Sequence, residues 1–101
     1  MIKELTSLDI YGIPWRGNKL FHKELAFFAT ENDLVLGVVA LDRVDKDYSW
    51  VLIAHKSIVT PQFGNQVSDS GYSLVNFRVS RQTQATATRE LHTAMERLGK
   101  P

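Results

Sequence analysis

The sequence predicts an α+β fold, in which an antiparallel four-stranded β-meander carries a C-terminal helix packed on one face. Two observations lead to this class. Four apolar stretches with β-type alternation follow one another between residues 23 and 80, and residues 83–98 carry apolar side chains at helical spacing. The length of 101 residues, without a repeat or a linker, indicates a single domain over residues 1–101, with residues 1–22 as an N-terminal arm.

The first two strands are joined by a short turn. The first strand covers residues 23–30 and is rich in aromatic side chains. Asn32 and Asp33 follow it, and both residue types tolerate the left-handed backbone conformation that tight hairpins require. The second strand covers residues 34–43, and its interior Gly37 indicates either a bulge or a close contact with another element.

The remaining two strands lie on either side of a long loop. A charged turn at residues 42–47 leads into the third strand, residues 48–56, which is built from β-branched and aromatic residues. Residues 59–71 contain one proline and two glycines and break the β pattern. Loops of this length are uncommon in small domains and are often functional. The fourth strand covers residues 72–80.

The C-terminal helix is the clearest element. Its apolar stripe consists of Ala87, Leu91, Ala94, Met95 and Leu98. Thr83 is suited to be its N-cap, because a threonine oxygen can accept a hydrogen bond from the first turn. Gly99 stands where a C′ glycine is expected, and Pro101 follows it.

The N-terminal arm has no single regular interpretation. Helical spacing relates three of its apolar residues, which are Ile2, Leu5 and Leu8. Gly12 and Pro14 interrupt any regular element after them. We expect Trp15 to anchor the arm to the sheet, because an indole ring buries a large apolar area.

Both faces of the central strands are apolar, so both need a cover. By alternation, one face of the second strand carries Leu34, Leu36, Val38 and Ala40, and the other carries Val35, Val39 and Leu41. In the third strand, Trp50, Leu52 and Ala54 oppose Val51 and Ile53. The helix covers one face. Three candidates could pack on the second face: the N-terminal arm, a second copy of the chain in a homodimer, or a different protein.

Composition excludes several classes of function. The net charge of +1, from 12 basic and 11 acidic residues, provides no bulk attraction to nucleic acid or to an anionic membrane. The absence of cysteine excludes disulfides, thiolate metal sites and cysteine nucleophiles. No apolar run is long enough for a membrane span, and the first residues lack the core of a signal peptide. We therefore expect a cytoplasmic protein.

No motif predicts catalysis, a metal or a cofactor. His92 and Glu96 are four residues apart on the helix, but no third ligand accompanies them. Asp42, Asp45 and Asp47 stand together in one turn without the order of a calcium-binding loop, so a solvated hairpin is the simpler interpretation. Nucleophile-elbow and phosphate-binding glycine motifs are also missing from the sequence.

A basic and aromatic stretch at residues 15–23 suggests a nucleic-acid site. Its cations are Arg16, Lys19 and Lys23, and they alternate with Trp15, Phe21 and His22. Such side chains can contact phosphates and stack on bases. Arg78 and Arg81, near the end of the fourth strand, extend this candidate surface. A solvated loop whose aromatic rings enter the core is the alternative.

A resemblance to small orphan proteins of bacteria, plasmids and phages adds a context. It is carried by the segments ELAFFATENDLVLGVVALDRVDKDYSWVLIA and FRVSRQTQATATRELHTAM. The shared residues are structural and bring no catalytic motif with them. The resemblance implies an accessory factor of a mobile element, and inhibitors of CRISPR effectors or of restriction enzymes are the best-known proteins of that kind.

These observations together predict a non-enzymatic protein-binding module, an inhibitor similar to an anti-CRISPR that sterically blocks a host defence nuclease complex. The predicted contact residues are Asp42, Asp45, Asp47, Tyr48, Trp50 and Tyr72. The acidic turn would occupy a phosphate-binding surface of the partner, and the aromatic residues would act as anchors, since interfaces favour them. A nucleic-acid-binding module is the first alternative, and a small ligand-binding domain or enzyme is the second.

Overall fold

A computed structural model describes residues 1–13, 21–42, 47–59, 70–81 and 83–99, with the backbone alone at residues 21, 22 and 77–80. In chain order the elements are β1 (Ile2–Leu5), a 3-10 turn (Asp9–Tyr11), β2 (Phe21–Thr30), β3 (Val35–Asp42), β4 (Tyr48–His55), β5 (Tyr72–Arg81) and α1 (Gln84–Gly99). The strands form one antiparallel sheet in the order β1-β2-β3-β4-β5. The predicted α+β class and the meander are confirmed, but the sheet has five strands rather than four.

The additional strand, β1, lies in the N-terminal arm. It pairs with the end of β2, from Ile2 opposite Thr30 to Leu5 opposite Phe27. The helical spacing of its apolar residues was misleading, because an isolated helical turn is costly to nucleate. A four-residue segment is stabilised more by main-chain hydrogen bonds to the edge strand of an existing sheet than by forming a single helical turn.

The turn between β2 and β3 follows the prediction made from its residue types. Asp33 has a φ of 62°, in the left-handed region. Its N–H donates to the Thr30 carbonyl at 2.9 Å, and the Leu34 N–H donates to Asn32 Oδ1 at 3.1 Å. The Thr30 hydroxyl oxygen accepts from the Val35 N–H at 3.2 Å. Side-chain oxygens therefore satisfy the backbone groups that the turn leaves unpaired.

Gly37 marks a close contact rather than a bulge. A Cβ at this position would lie 2.7 Å from Leu91 Cδ2 and 2.8 Å from Met95 Sδ. The irregularities between β2 and β3 occur elsewhere, near the start of β2. The missing side chain lets α1 approach the sheet directly over β3.

The helix begins as predicted and ends slightly later than predicted. Thr83 Oγ1 accepts a hydrogen bond from the Thr86 N–H at 3.1 Å, which confirms the N-cap. Gly99 is the last residue of α1 rather than the first residue beyond it. Ala87, Leu91 and Met95 are fully buried against the sheet.

Two apolar clusters, one on each face, confirm the predicted alternation. The helix side contains Ala26, Phe28, Val35, Val39, Trp50, Leu52, Ala87, Leu91 and Met95. The opposite side contains Leu8, Tyr11, Ile13, Ala29, Leu36, Val38, Ala40, Val51, Ile53 and Tyr72. Segment 8–13 therefore covers part of the second face, where Leu5, Phe27 and Leu74 stay partly buried around the cluster.

Candidate functional site

A groove of about 420 Å³ lies between α1 and β5, and we call it the arginine groove. It is lined by Trp50, Asn76, Arg81, Arg89, Glu90, Thr93, Ala94 and Arg97. It exists because α1 packs mainly over β3 and β4, which leaves β5 uncovered beside the helix. The chain thus forms a concave, charged surface from β5 and α1, to which β4 contributes Trp50.

The outer wall of the groove is a stripe on the helix surface. Arg89, Thr93 and Arg97 are four residues apart and therefore lie one above the other on one side of α1. All three are exposed, whereas Leu91 and Met95 on the adjoining side are fully buried. The Thr93 hydroxyl donates to the Arg89 carbonyl at 3.1 Å, so it is used within the helix.

Glu90 organises the inner wall. Its Oε1 accepts a hydrogen bond from Arg81 Nε at 2.7 Å and another from Trp50 Nε1 at 3.2 Å. The carboxylate therefore pairs the charge of Arg81 and satisfies the only polar atom of the buried indole. These two bonds also connect α1 to β4 and β5, so the groove is held by side-chain contacts from three elements.

The arginine groove carries an excess of positive charge. Among the described residues, three arginines and one glutamate line it, which gives these side chains a net charge of +2. Arg81 is in an ion pair with Glu90. Arg89 and Arg97 have no ion-pair partner among the described residues. Two exposed guanidinium groups are therefore available to an anionic group from outside.

A second polar cluster, the Asp33 node, lies at the opposite end of the sheet. Tyr11 Oη donates to Asp33 Oδ1 at 2.8 Å, and Lys3 Nζ lies 2.9 Å from the same oxygen. Tyr72 Oη donates to the Asp33 carbonyl at 2.6 Å. The two tyrosine rings pack edge to face with centroids 5.6 Å apart. The node thus fastens β1 and segment 8–13 to the β2–β3 turn.

The pKa values in this cluster follow from its contacts. The hydrogen bonds from Lys3 and then Tyr11 lower the pKa of Asp33 below its ordinary value of 3.8. Burial, and then the bond to Asp33, raises the pKa of Tyr11 to about 12. Burial also raises the pKa of Tyr72. Each shift favours the protonation state that forms these bonds, so the Asp33 node stabilises the fold.

The residues that sequence analysis assigned to partner binding are dispersed. Trp50 and Tyr72 are 6% and 8% exposed, so in this conformation they pack in the core and offer a partner little surface. Asp42, Asp47 and Tyr48 are half-buried, and the Asp42 N–H donates to the Asp47 carbonyl at 2.7 Å to close the turn. Asp45 lies outside the described residues. Their role in binding stays a prediction.

The residues of the nucleic-acid alternative are brought together only in part. Lys23 pairs with Leu41, Leu41 with Tyr48, and Tyr48 with Arg81, so one row across the sheet carries a cation at each end. The Cα atoms of Lys23 and Arg81 are three strand spacings apart, or about 14 Å. Arg78 pairs with Trp50 through its backbone. Arg16 and Lys19 lie outside the described residues.

The histidines do not form a metal centre in the described part of the chain. No group of three potential ligands occurs there. The His92 ring packs edge to face on Phe28 with centroids 4.5 Å apart, while Glu96 is exposed. His55 Nδ1 accepts from the Ser57 N–H at 3.1 Å and its ring packs on Tyr72. His92 and His55 therefore make packing and turn contacts.

Sequence analysis missed Arg89, Glu90 and Arg97. The spacing of Arg89 and Arg97 on a helix was a usable signal, because it places both on one side, away from the centre of the apolar stripe. The pairing of Glu90 with Arg81 and Trp50 had no local signal, because these residues meet only through the packing of α1 on the sheet.

Comparisons with known proteins provide no family for this chain. No protein-family model, curated protein or solved structure matches it. Within the described ranges, no helix is long and apolar enough to cross a membrane. The functional inference therefore rests on the residues and the geometry of the arginine groove.

Proposed function

We propose that the chain is a non-enzymatic protein-binding module that docks through the arginine groove. The main support for this proposal is a pair of exposed arginines, Arg89 and Arg97. They lie beside Arg81, whose charge is already paired with Glu90. Arginine is enriched at the energetic centres of protein interfaces. Here both arginines stand on a capped helix with a fully buried inner side, so their backbone positions are held before a partner arrives.

A binding role suits the chemistry of this surface better than catalysis. Among the residues that line the groove, the hydroxyl of Thr93 donates to a helix carbonyl and the carboxylate of Glu90 accepts from two donors. Neither is placed as a nucleophile with an adjacent base. Guanidinium groups present N–H donors that bind anions, and they are poorly suited to act as an acid or a base in catalysis.

Steric blocking of a larger partner is the mode of action that we propose, and a host defence nuclease complex is the partner class that the resemblance implies. The groove and the acidic hairpin turn support this mode, because Asp42 and Arg81 lie at the same end of the sheet. A partner that contacts this end would meet charges of both signs. Such mixed surfaces favour specific orientation of a complex.

Site-specific photo-crosslinking in cells of the native host tests the docking surface. A photoreactive amino acid at Thr93, inside the groove, is compared with the same group at Glu96. Both positions are exposed on α1, but Glu96 faces a different groove beside Thr30 and Asn32. We expect one adduct of defined mass from position 93 and none from position 96. No adduct at position 93, or the same adducts at both positions, would contradict the proposal.

A nucleic-acid-binding module is the second candidate, because Lys23 and Arg81 lie in one row across the sheet. Fluorescence anisotropy with a labelled single-stranded oligonucleotide tests it. Binding that weakens steeply as salt rises from about 50 mM would support this candidate. Binding that is absent at the lowest salt would exclude it.

A further inference from the structure

We infer that the arginine groove recognises an acidic, extended segment of a partner protein, with one carboxylate on Arg89 and a second on Arg97. This inference rests on the proposed function and names the chemistry of the partner at the same site. Three properties of the groove support this inference. Arg81 is paired with Glu90, whereas Arg89 and Arg97 have no ion-pair partner among the described residues. The spacing of Arg89 and Arg97 fits an extended chain, and the groove offers neither a regular strand edge nor, among its described residues, an exposed aromatic ring.

The ion pair between Arg81 and Glu90 leaves Arg89 and Arg97 as the two arginines that can bind a partner. Arg81 already donates to Glu90 at 2.7 Å, so its binding capacity is partly used inside the chain. Arg89 and Arg97 are exposed and have no ion-pair partner within the described residues. A guanidinium presents several N–H donors in one plane and matches the two oxygens of a carboxylate.

The spacing of these arginines fits an extended chain. They are eight residues apart on α1, which corresponds to about 12 Å along the helix axis. In an extended peptide, residues four positions apart lie on the same side and are separated by about 13 Å. A segment with two acidic residues at that separation therefore reaches both guanidinium groups without bending.

Recognition through side chains is favoured over strand addition at β5. This strand lies at the margin of the sheet, but its pairing with β4 is shifted twice, between Tyr48 and Trp50 and between Leu52 and Ile53. Each shift inserts an extra residue on β5, and such bulges bend an edge away from regular pairing. The main chain of β5 is thus a poor template for a sixth strand.

A protein segment also suits the groove better than a nucleic acid. Among the described residues of the groove, the aromatic one is Trp50. It is 6% exposed and donates its N–H to Glu90, so its ring cannot serve as a platform for bases. The Glu90 carboxylate would lie close to a bound phosphate backbone. The whole chain has a net charge of only +1, which adds little long-range attraction to a polyanion.

Peptide binding to the full chain tests this inference. The probe is a nine-residue Thr/Val peptide with glutamates at its third and seventh positions, and its control has glutamines there. We expect the acidic peptide to bind about tenfold more tightly, as two solvent-exposed ion pairs would allow. The double variant Arg89→Gln and Arg97→Gln should abolish this preference, as measured by calorimetric or fluorescence titration.

A matched double variant controls for net charge. Lys23→Gln and Lys56→Gln remove the same two charges at exposed positions outside the groove, and the preference for the acidic peptide should persist. Equal affinity for both peptides, no binding of the acidic peptide, or the same loss in both double variants would overturn the inference. So would tighter binding of a thymidine oligonucleotide that depends on Arg89 and Arg97.

The two proposals fail in different ways. If the acidic peptide shows no preference while position 93 still yields a protein adduct, the groove is a docking surface and the acidic-segment inference is wrong. If position 93 yields no adduct, the proposed function itself is contradicted. Thermal unfolding of each variant establishes that the fold is retained before binding is compared.

Discussion

The two faces of the sheet are covered by different means. On one face α1, with 16 residues, places a continuous apolar side on the strands, and Leu91 and Met95 are fully buried there. On the other face the short segment 8–13 contributes Leu8, Tyr11 and Ile13. The helix satisfies its backbone internally, whereas the irregular segment needs polar contacts to hold its course.

The difference shows in the contacts that secure each cover. The helix is positioned by shape, since Gly37 removes a side chain where Leu91 approaches. The segment is positioned by a directional hydrogen bond from Tyr11 to Asp33, which itself has a left-handed backbone. A long periodic element is thus positioned mainly by packing, with the Glu90 bonds at one side of α1, while a short irregular one requires a specific polar anchor.

The largest expected effect is on the helix face. Leu91→Ala should lower the free energy of unfolding by about 3 kcal/mol, because it leaves a cavity under a rigid helix. Gly37→Ala alone should cost about 2 kcal/mol through overpacking against Leu91. In the double variant the new methyl group enters the cavity left by the Leu91 side chain. The double variant should therefore cost less than the sum of the two single variants. Urea denaturation measures all three, and strict additivity would contradict the close contact.

A smaller effect is expected from the same kind of change on the arm face. Leu8 is as fully buried as Leu91, but Leu8→Ala should cost only about 2 kcal/mol, because an irregular segment relaxes into a cavity more easily. Hydrogen exchange should show faster opening of segment 8–13 than of α1. A cost equal to that of Leu91→Ala would show that the two covers are equally rigid.

Removing one hydrogen bond from the Asp33 node should have a moderate effect. Tyr72→Phe deletes the donor to the Asp33 carbonyl and should lower the free energy of unfolding by about 1 kcal/mol. The ring and its edge contacts with Tyr11 and His55 remain. The control is a Tyr48→Phe variant, which removes a tyrosine hydroxyl outside the Asp33 node. If both changes have the same effect, the bond from Tyr72 to the Asp33 carbonyl adds no specific stability to the node.

An effect of about 1 kcal/mol at neutral pH is expected for Tyr11→Phe, because Lys3 still pairs with the half-exposed Asp33 carboxylate, and its pH dependence is more informative. The folded pKa of Tyr11, about 12, lies above its ordinary value of 10.0. The unfolded chain therefore loses this proton first, and stability that is present below pH 10 is lost as pH rises toward 12. The variant should show a shallower alkaline decline, with the remainder due to Tyr72, whose pKa is also raised. An unchanged decline would exclude this linkage.

Local pattern in the sequence was sufficient for most of the architecture. The alternation of apolar residues assigned Val38 and Val39 to opposite faces, and helical spacing with a threonine cap defined α1, because these signals depend on the geometry of each element alone. Tertiary structure alone decided the pairing of β1, the route of segment 8–13 and the assembly of the arginine groove. Lys3 and Asp33 are distant in sequence, and so are Trp50 and Glu90. Only the packed sheet and helix bring them within hydrogen-bonding distance, since such contacts depend on where whole elements lie and not on local preference.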